Sequence, residues 1–566
     1  MLVIILAHPF DESTVPPQTA VLTSSDRLLT RNSVPPSPSH CCLVLIPQMT
    51  FETSAQQSSA SLLQLPDPLL VAVLCCCADD PRSVCSAARA HSRLHQAAVL
   101  ALSSIKLPLV QSDAAERQQR LDSLVDLYLP SHGQHVESLD LRGFSRQKRS
   151  EAVWFRLFQL PSNLTQLSSL VALSLCVQLR PSDQDLLGAA AAPPLKQLGL
   201  YVCKLDGGEE GLAAALALLP GLEHLAIVRA IPGYREGGND NIGNFATPLR
   251  AVMPGLSKLT CLQLEPAWDD SNDPAAVLQH MTALTRLVDL RLLLVGRHGY
   301  NITASMLSGA QHVTYLKLMG RGISGVRRVS LEPAALAGKT MLQHLELCQP
   351  SGGAVGTAGT AQLLCELHQL QQLTWLALHG LQGTDAGPPA AAYTALTASS
   401  KLQRLDVSKC TVPAGVWQHV FPAGKQLPQL QDLRMSDVTF PAGPAAAPEG
   451  TRLVSCCPGL QVLRLQRLQC QGLLTALQGL SSLTSLHLWP PADSTEEWAE
   501  GLCQLTGLRD LRLIGAAEEG LLLQLTKLRQ LTSLQYGNRS NVASTGCNHF
   551  HGQVSTLNVS KSYMLT

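Results

Sequence analysis

The chain has 566 residues and a formal net charge of zero, with 42 basic and 42 acidic side chains. That balance excludes a general polyanion binder, which carries a basic excess, so no nucleic-acid partner is expected. Only 4% of residues are aromatic while 45% are hydrophobic, a bias toward aliphatic layers, and the length exceeds one ordinary globular core unless the chain is built from repeats.

Residues 1–58 are rich in Ser, Pro, Thr and Gln, as in "SVPPSPSH" and "SAQQSSAS". They show no sustained period, so they are expected to be disordered or an unreliable start. "MLVIILAHPF" has a short apolar run without a preceding basic charge, a poor secretory signal. No run approaches the roughly 20 apolar residues of a membrane helix, so no membrane partner is expected. The 17 cysteines include neighbours such as Cys41–Cys42, Cys75–Cys77 and Cys456–Cys457, and no C-x-x-C pair. Neighbours bridge poorly. Reduced thiols acting as small apolar residues are therefore expected, in a cytoplasmic protein or alternatively a nuclear one. On that expectation the sequons at Asn163, Asn301, Asn538 and Asn558 are chance.

Residues 61–102 read as a small helical block. In "LPDPLLVAVL" Asp67 suits an N-cap and Pro68 the first helical position. Leu69, Leu70, Val73 and Leu74 then fall on one helical face. "DDPRSVCSAARAHSRLHQAAVLAL" starts a second helical stretch carrying Val84, Ala87, Ala88, Leu94 and Ala98. About forty residues hold too little core to stand alone, so the block needs a partner or the segment that follows. Residues 103–134 are expected to be a helical linker or N-terminal cap.

From residue 135 to 536 one pattern recurs, L-x-x-L-x-x-L-x-L, as in "LSSLVALSL", "LQQLTWLAL" and "LTGLRDLRL". Its penultimate leucines are Leu139, Leu173, Leu198, Leu225, Leu262, Leu290, Leu316, Leu345, Leu376, Leu405, Leu433, Leu463, Leu486, Leu511 and Leu534, a mean period of about 28 residues. In L-x-L both leucines point to one face of a short strand and x to the other. One unit cannot bury its leucines alone, so neighbours must stack into a solenoid. The long gap before Leu262 contains "PGYREGGNDNIGNF", read as an exposed loop. Residues 537–566 are expected to be a disordered tail.

Reading x along the C-terminal repeats gives Arg434, Arg464, His487 and Arg512. At about 4.8 Å per strand they would form a basic stripe some 15 Å long. An acidic or phosphorylated partner segment, gripped by Arg forks, would suit it, unless Asp432 and Asp510 neutralise the stripe. Tyr315, Trp375 and Trp489 are further expected to be exposed aromatics for a partner. Asp406, the x of "LDV", should point into solvent, and Leu376 should be buried.

No catalytic signature is present, and neither catalytic nor metal-ligating residues nor a cofactor are read from the sequence. "SGGAVGTAG" (351–359) lacks the following Lys of a phosphate loop and reads as an inter-repeat turn. "CNHFH" (547–551) has only three ligand types in a polar tail.

The repeat region resembles the leucine-rich repeat family. The resemblance implies an α/β solenoid, a horseshoe with a parallel concave sheet of about fifteen units. Most units lack the Asn that usually follows L-x-L by three; Cys203 and Cys410 occupy that position, as in the cysteine-containing subtype. The block before it resembles the F-box. Leu65-Pro66 match its start and Val73-Leu74 its isoleucine–leucine pair, while Ala90 and Leu94 fall at its later Val and Trp positions. Pro68 replaces the usual acidic residue. This resemblance implies docking of a Skp-type adaptor of a cullin–RING ubiquitin ligase through Leu65, Pro66, Leu69, Leu70, Val73, Leu74, Val84 and Leu94. The chain would then be a monomer within that complex, its repeats holding a target protein. The alternative is a plain scaffold in which the block is only a cap.

Overall fold

A computed structural model of the chain describes residues between Leu62 and Gly537, except 77–80, 102, 107–118, 120–123, 125–127, 142–166, 180–194, 206–208, 230–245, 266–276, 297–299, 323–328, 349–356, 382–387, 414, 437, 439–449, 467–473, 475–476, 489–499, 515–524 and 526. The expectations for residues 1–58, the loop at 232–245, Trp489, "CNHFH" and the tail beyond Gly537 lie outside the described residues. Contacts divide the chain into Met1–Gln64, of which one 3-10 turn (Leu62–Gln64) is described, and Leu65–Thr566, which holds everything below.

The block folds as three short helices, α1 (Asp67–Cys76), α2 (Pro81–Ala90) and α3 (Ser92–Ala101), with α3 packed against both others. The expected second helix is thus two, broken at His91. The expected cap also moves by one residue. The carbonyl of Pro66 accepts the N–H groups of Leu69 and Leu70, at 2.9 and 3.0 Å, so Asp67 lies inside the first turn. Its carboxylate instead pairs with Arg93 of α3, which also donates to the carbonyl of Leu65 at 3.0 Å.

Among the described residues there are eighteen strands: β1 Ser104–Lys106, β2 Ser138–Asp140, β3 Ala172–Leu179, β4 Gln197–Leu205, β5 His224–Arg229, β6 Cys261–Glu265, β7 Asp289–Gly296, β8 Tyr300–Ile302, β9 Tyr315–Gly322, β10 Val329–Leu331, β11 His344–Cys348, β12 Trp375–His379, β13 Arg404–Ser408, β14 Asp432–Ser436, β15 Val462–Gln466, β16 Ser485–Leu488, β17 Asp510–Ile514 and β18 Ser533–Gly537. Sixteen form one open parallel sheet in chain order, and β8 and β10 pair separately. The fifteen motif leucines are direct register partners from Leu139 to Leu534. All are buried except Leu534, half-buried on the last described strand. This column is one layer of the core, in which each leucine loses its water only between two neighbouring repeats.

The sheet begins one strand earlier than the motif. β1, in the expected helical linker, pairs with β2 through Ile105 and Leu139. It follows α3 almost directly, so the block leads straight into the first repeat. The described return segments include 3-10 turns and helices such as Thr357–Gln369, which takes up the end of "SGGAVGTAG" expected as a turn.

Side-chain hydrogen bonds tie repeats together. Thr260, Thr374, Thr484 and Thr532 each stand two residues before a motif leucine. Each donates its hydroxyl to a backbone carbonyl one repeat earlier, at 3.1, 3.0, 3.2 and 3.0 Å. At the Asn-equivalent position the buried Cys410 thiol donates to the carbonyl of Leu378 on the neighbouring strand at 3.4 Å; the side chain of Cys203 lies outside the described residues. Asp406 corrects the expectation of a solvent-facing carboxylate. It is only 7% exposed and accepts the Ser408 hydroxyl at 2.6 Å.

Candidate functional site: the outward face of the sheet

Each strand presents two outward positions around its first motif leucine, and strict register turns these into columns across the sheet. The first column runs Asp289, Tyr315, His344, Trp375, Arg404, Asp432. Its middle members form a continuous stack. Tyr315 and His344 lie 3.9 Å apart and nearly parallel, and His344 and Trp375 lie 4.5 Å apart. Arg404 covers the outer face of Trp375 at 3.7 Å. Arg291, held by Asp289 through bonds of 3.0 and 2.7 Å, covers Tyr315 at 4.5 Å. Cation–π contact of this kind contributes about 0.5–2 kcal/mol. The two sequence-predicted aromatics are therefore brought together, but they are half-buried within a stack and not freestanding. His344, Arg291 and Arg404 were missed by sequence reasoning. The residue preceding each motif leucine, read in register, would have found His344 and Arg404. The Trp375 indole N–H is buried and makes no hydrogen bond.

The second column contains Lys317, Glu346, Ala377, Asp406, Arg434, Arg464, His487 and Arg512 as successive register partners. Lys317 pairs with Glu346 at 3.0 Å. Burial by itself would raise the Glu346 carboxyl. His344, 3.9 Å away, and the Lys317 ammonium outweigh it and hold it at about 2. Burial pushes the neighbouring Cys348 thiol well up and the His379 imidazole down.

The expected stripe of Arg434, Arg464, His487 and Arg512 forms in unbroken register, and its acids are unevenly shared. Asp432 takes Arg434 at 2.8 Å and Arg404 at 3.3 Å. Asp510 takes His487 at 3.1 Å and the Ser485 hydroxyl at 2.9 Å. Arg512 donates to Gln535. On the Arg464 strand the position equivalent to Asp432 is Val462. Among the described residues Arg464 has no ion pair, and its Nε is buried without an acceptor. Burial and the cations of Arg434 and Arg512 lower its pKa. His487 is held below its usual range by burial, despite Asp510, so it is chiefly neutral at pH 7.

The helical block divides the predicted adaptor residues. Pro66 and Leu69 are exposed, Leu65 and Val73 half-buried. Leu70, Leu74, Val84 and Leu94 are buried. That corrects the expectation that Leu69 and Leu70 share one outward patch. Adjacent residues on a helix point about 100° apart, and Leu70 turns into the interior. Leu69, at 49% exposure, is joined on the block by Leu100 at 63%.

The open parallel sheet, its inward columns of leucines and its helical or 3-10 returns define a leucine-rich repeat solenoid. Solved structures it is similar to include an internalin of Listeria monocytogenes, with 16% identity and a TM-score of 0.33 over 67% of this chain and 83% of that one. Another is a leucine-rich repeat protein of Leptospira interrogans, with 15% identity and a TM-score of 0.37 over 76% and 89%. A third is TLR13 in a complex with ssRNA13, with 16% identity and a TM-score of 0.35 over 66% and 51%. No protein-family profile and no curated protein matches the chain. No described helix is long and apolar enough to cross a membrane.

Proposed function

We propose that this chain is a non-catalytic binding protein whose outward sheet face grips a carboxylate-rich or phosphorylated segment of a partner protein. The observation that carries the reading is Arg464. A guanidinium set between Arg434 and the neutral imidazole of His487, with no ion pair of its own and a buried unbonded donor, is costly in the free protein and is relieved by an anion. Arg presents a planar fork that suits a carboxylate or phosphate bidentately. The cation-bounded aromatic stack three strands away offers the same partner apolar area. The test replaces Arg434, Arg464 and Arg512 with Gln together and measures partner capture against salt. Capture should weaken and its remaining salt dependence flatten; unchanged capture with an unchanged salt response overturns the reading.

A second element is favoured by Leu69 and Leu100, two large exposed apolar side chains on a block of about forty residues. In the F-box reading they face a Skp-type adaptor of a cullin–RING ligase. The chain then raises the effective concentration of a target lysine near the charged enzyme and performs no chemistry itself. Affinity capture of the intact chain from its native cells, with Leu69 and Leu100 either intact or both replaced by Glu, decides it. Adaptor and cullin should be captured by the first and lost from the second, since unpaired charge in that contact costs several kcal/mol. Capture of a stable partner without adaptor overturns this element and leaves the block as a cap.

A further inference from the structure

The sequence reading names no metal ligands, yet the strand register assembles three. Glu346 and Cys348 stand two residues apart on β11, so both leave the same face. His379, on β12, is the direct register partner of Cys348. One ligand atom from each lies within 4.8 Å of the other two. The Cys348 sulfur is 3.5 Å from Glu346 Oε1. A tetrahedral zinc ion, with Zn–S of about 2.3 Å and Zn–O of about 2.0 Å, requires an S···O edge of about 3.5 Å. The pair already stands at the spacing an ion would impose. The carboxylate is also pre-turned. Lys317 Nζ holds the other oxygen, Oε2, at 3.0 Å, and His344 approaches that same oxygen at 3.9 Å. Oε1 is thereby left facing the sulfur. Asp406 and Lys409 are the charged groups that reach His379 from the next strand, and they oppose each other in sign.

We propose that Glu346, Cys348 and His379 form a three-ligand site for a thiophilic divalent cation, zinc by the nature of its donors, with the fourth position open on the sheet face. A thiolate, an imidazole and one carboxylate oxygen suit zinc and not magnesium or calcium, which take oxygen cages. On binding, the S–H proton that Cys348 donates to Oε1 leaves to solvent. A sulfur–metal bond forms, and Oε1 changes from hydrogen-bond acceptor to ligand. The second column of the sheet supports the site, since Lys317 fixes the carboxylate much as outer hydrogen bonds orient ligands elsewhere. The site uses different residues from the arginine column and stands or falls separately from it.

The experiment titrates the full-length, reduced, metal-stripped chain with Co²⁺, reading thiolate-to-cobalt charge transfer and the tetrahedral ligand-field bands, then adds Zn²⁺ in competition. Wild type should give both signals, and Zn²⁺ should abolish them. Cys348→Ser should remove the charge-transfer increment of this site. His379→Ala and Glu346→Gln should each weaken cobalt affinity about tenfold or more. Cys503→Ser, at a half-buried cysteine elsewhere in the solenoid, should change nothing and controls for the remaining thiols. Circular dichroism of each variant confirms folding, and the two non-cysteine variants keep the question open to measurement if Cys348→Ser misfolds. A cobalt spectrum and affinity unchanged in Cys348→Ser, His379→Ala and Glu346→Gln, or no tetrahedral signal in wild type, overturns the site.

Discussion

Strands β9 and β11–β13, and strands β14–β17, share one inner column and differ on the outer one. Inside, both carry leucine at each first motif position, buried to the same degree. Outside, the central strands carry an aromatic stack, a Lys–Glu pair and the Glu–Cys–His cluster, while the later strands carry arginines with too few acids. Neighbouring repeats must match one another's leucines to exclude water, so the inner column tolerates little change. The outward positions carry no such constraint. They can differ repeat by repeat without disturbing the sheet, and this lets one architecture hold two chemically distinct surfaces.

The largest effects should be the same in both regions. Leu376→Ala on β12 and Leu486→Ala on β16 should each lower stability by about 2–5 kcal/mol, measured by denaturant unfolding. A much smaller cost at one of them would break the claim of a uniform inner column. Below that comes a difference between the regions that pH exposes. Glu346 has a folded pKa of about 2 against an ordinary value of 4.5. Its folded pKa is depressed, so its contribution is fully present above pH 4.5 and is lost as pH falls from there toward 2. The upper bound is about 3 kcal/mol. Glu346→Gln should therefore destabilise most near neutral pH, and the gap from wild type should close between pH 4.5 and 2. A gap independent of pH would show that the ion pair with Lys317 adds nothing.

A smaller cost is expected at Asp406. Because the carboxylate is buried and bonded to Ser408, Asp406→Ala should cost about 1–2 kcal/mol, where an exposed x residue would cost almost nothing. Arg464→Gln is the matching change in the later strands. It removes an unpaired cation, so stability should stay the same or rise by up to about 1 kcal/mol, even as anionic partner capture falls. If Arg464→Gln destabilised as much as Asp406→Ala, the arginine would have to be read as a structural group.

The helical block of α1–α3 shows how far local pattern carries. Its helices form where proline and the apolar spacing place them, but the spacing could not say which leucine turns inward. Leu69 and Leu70 both fit the same broad face, and only the packing of α3 against α1 buries one and leaves the other exposed. Similarly, β1 was invisible because "SIK" has one apolar residue and no L-x-x-L before it. Its strand conformation comes from pairing with β2.

By itself the sequence determined the solenoid, the positions of the fifteen motif strands and the face of each outward residue, because a two-residue alternation repeated fifteen times leaves no other way to bury the leucines. It therefore also determined the arginine column, which needs only one residue per repeat counted from the same leucine. The tertiary structure alone decided what those outward residues do to one another. Strands about 4.8 Å apart bring side chains from separate repeats into contact, so the stack of Tyr315, His344 and Trp375, the burial of Asp406 and the meeting of Glu346 and Cys348 with His379 depend on register across a gap of some thirty residues. Alternation fixes direction, whereas distance, partnership and access to water are properties of neighbours that are remote in the chain.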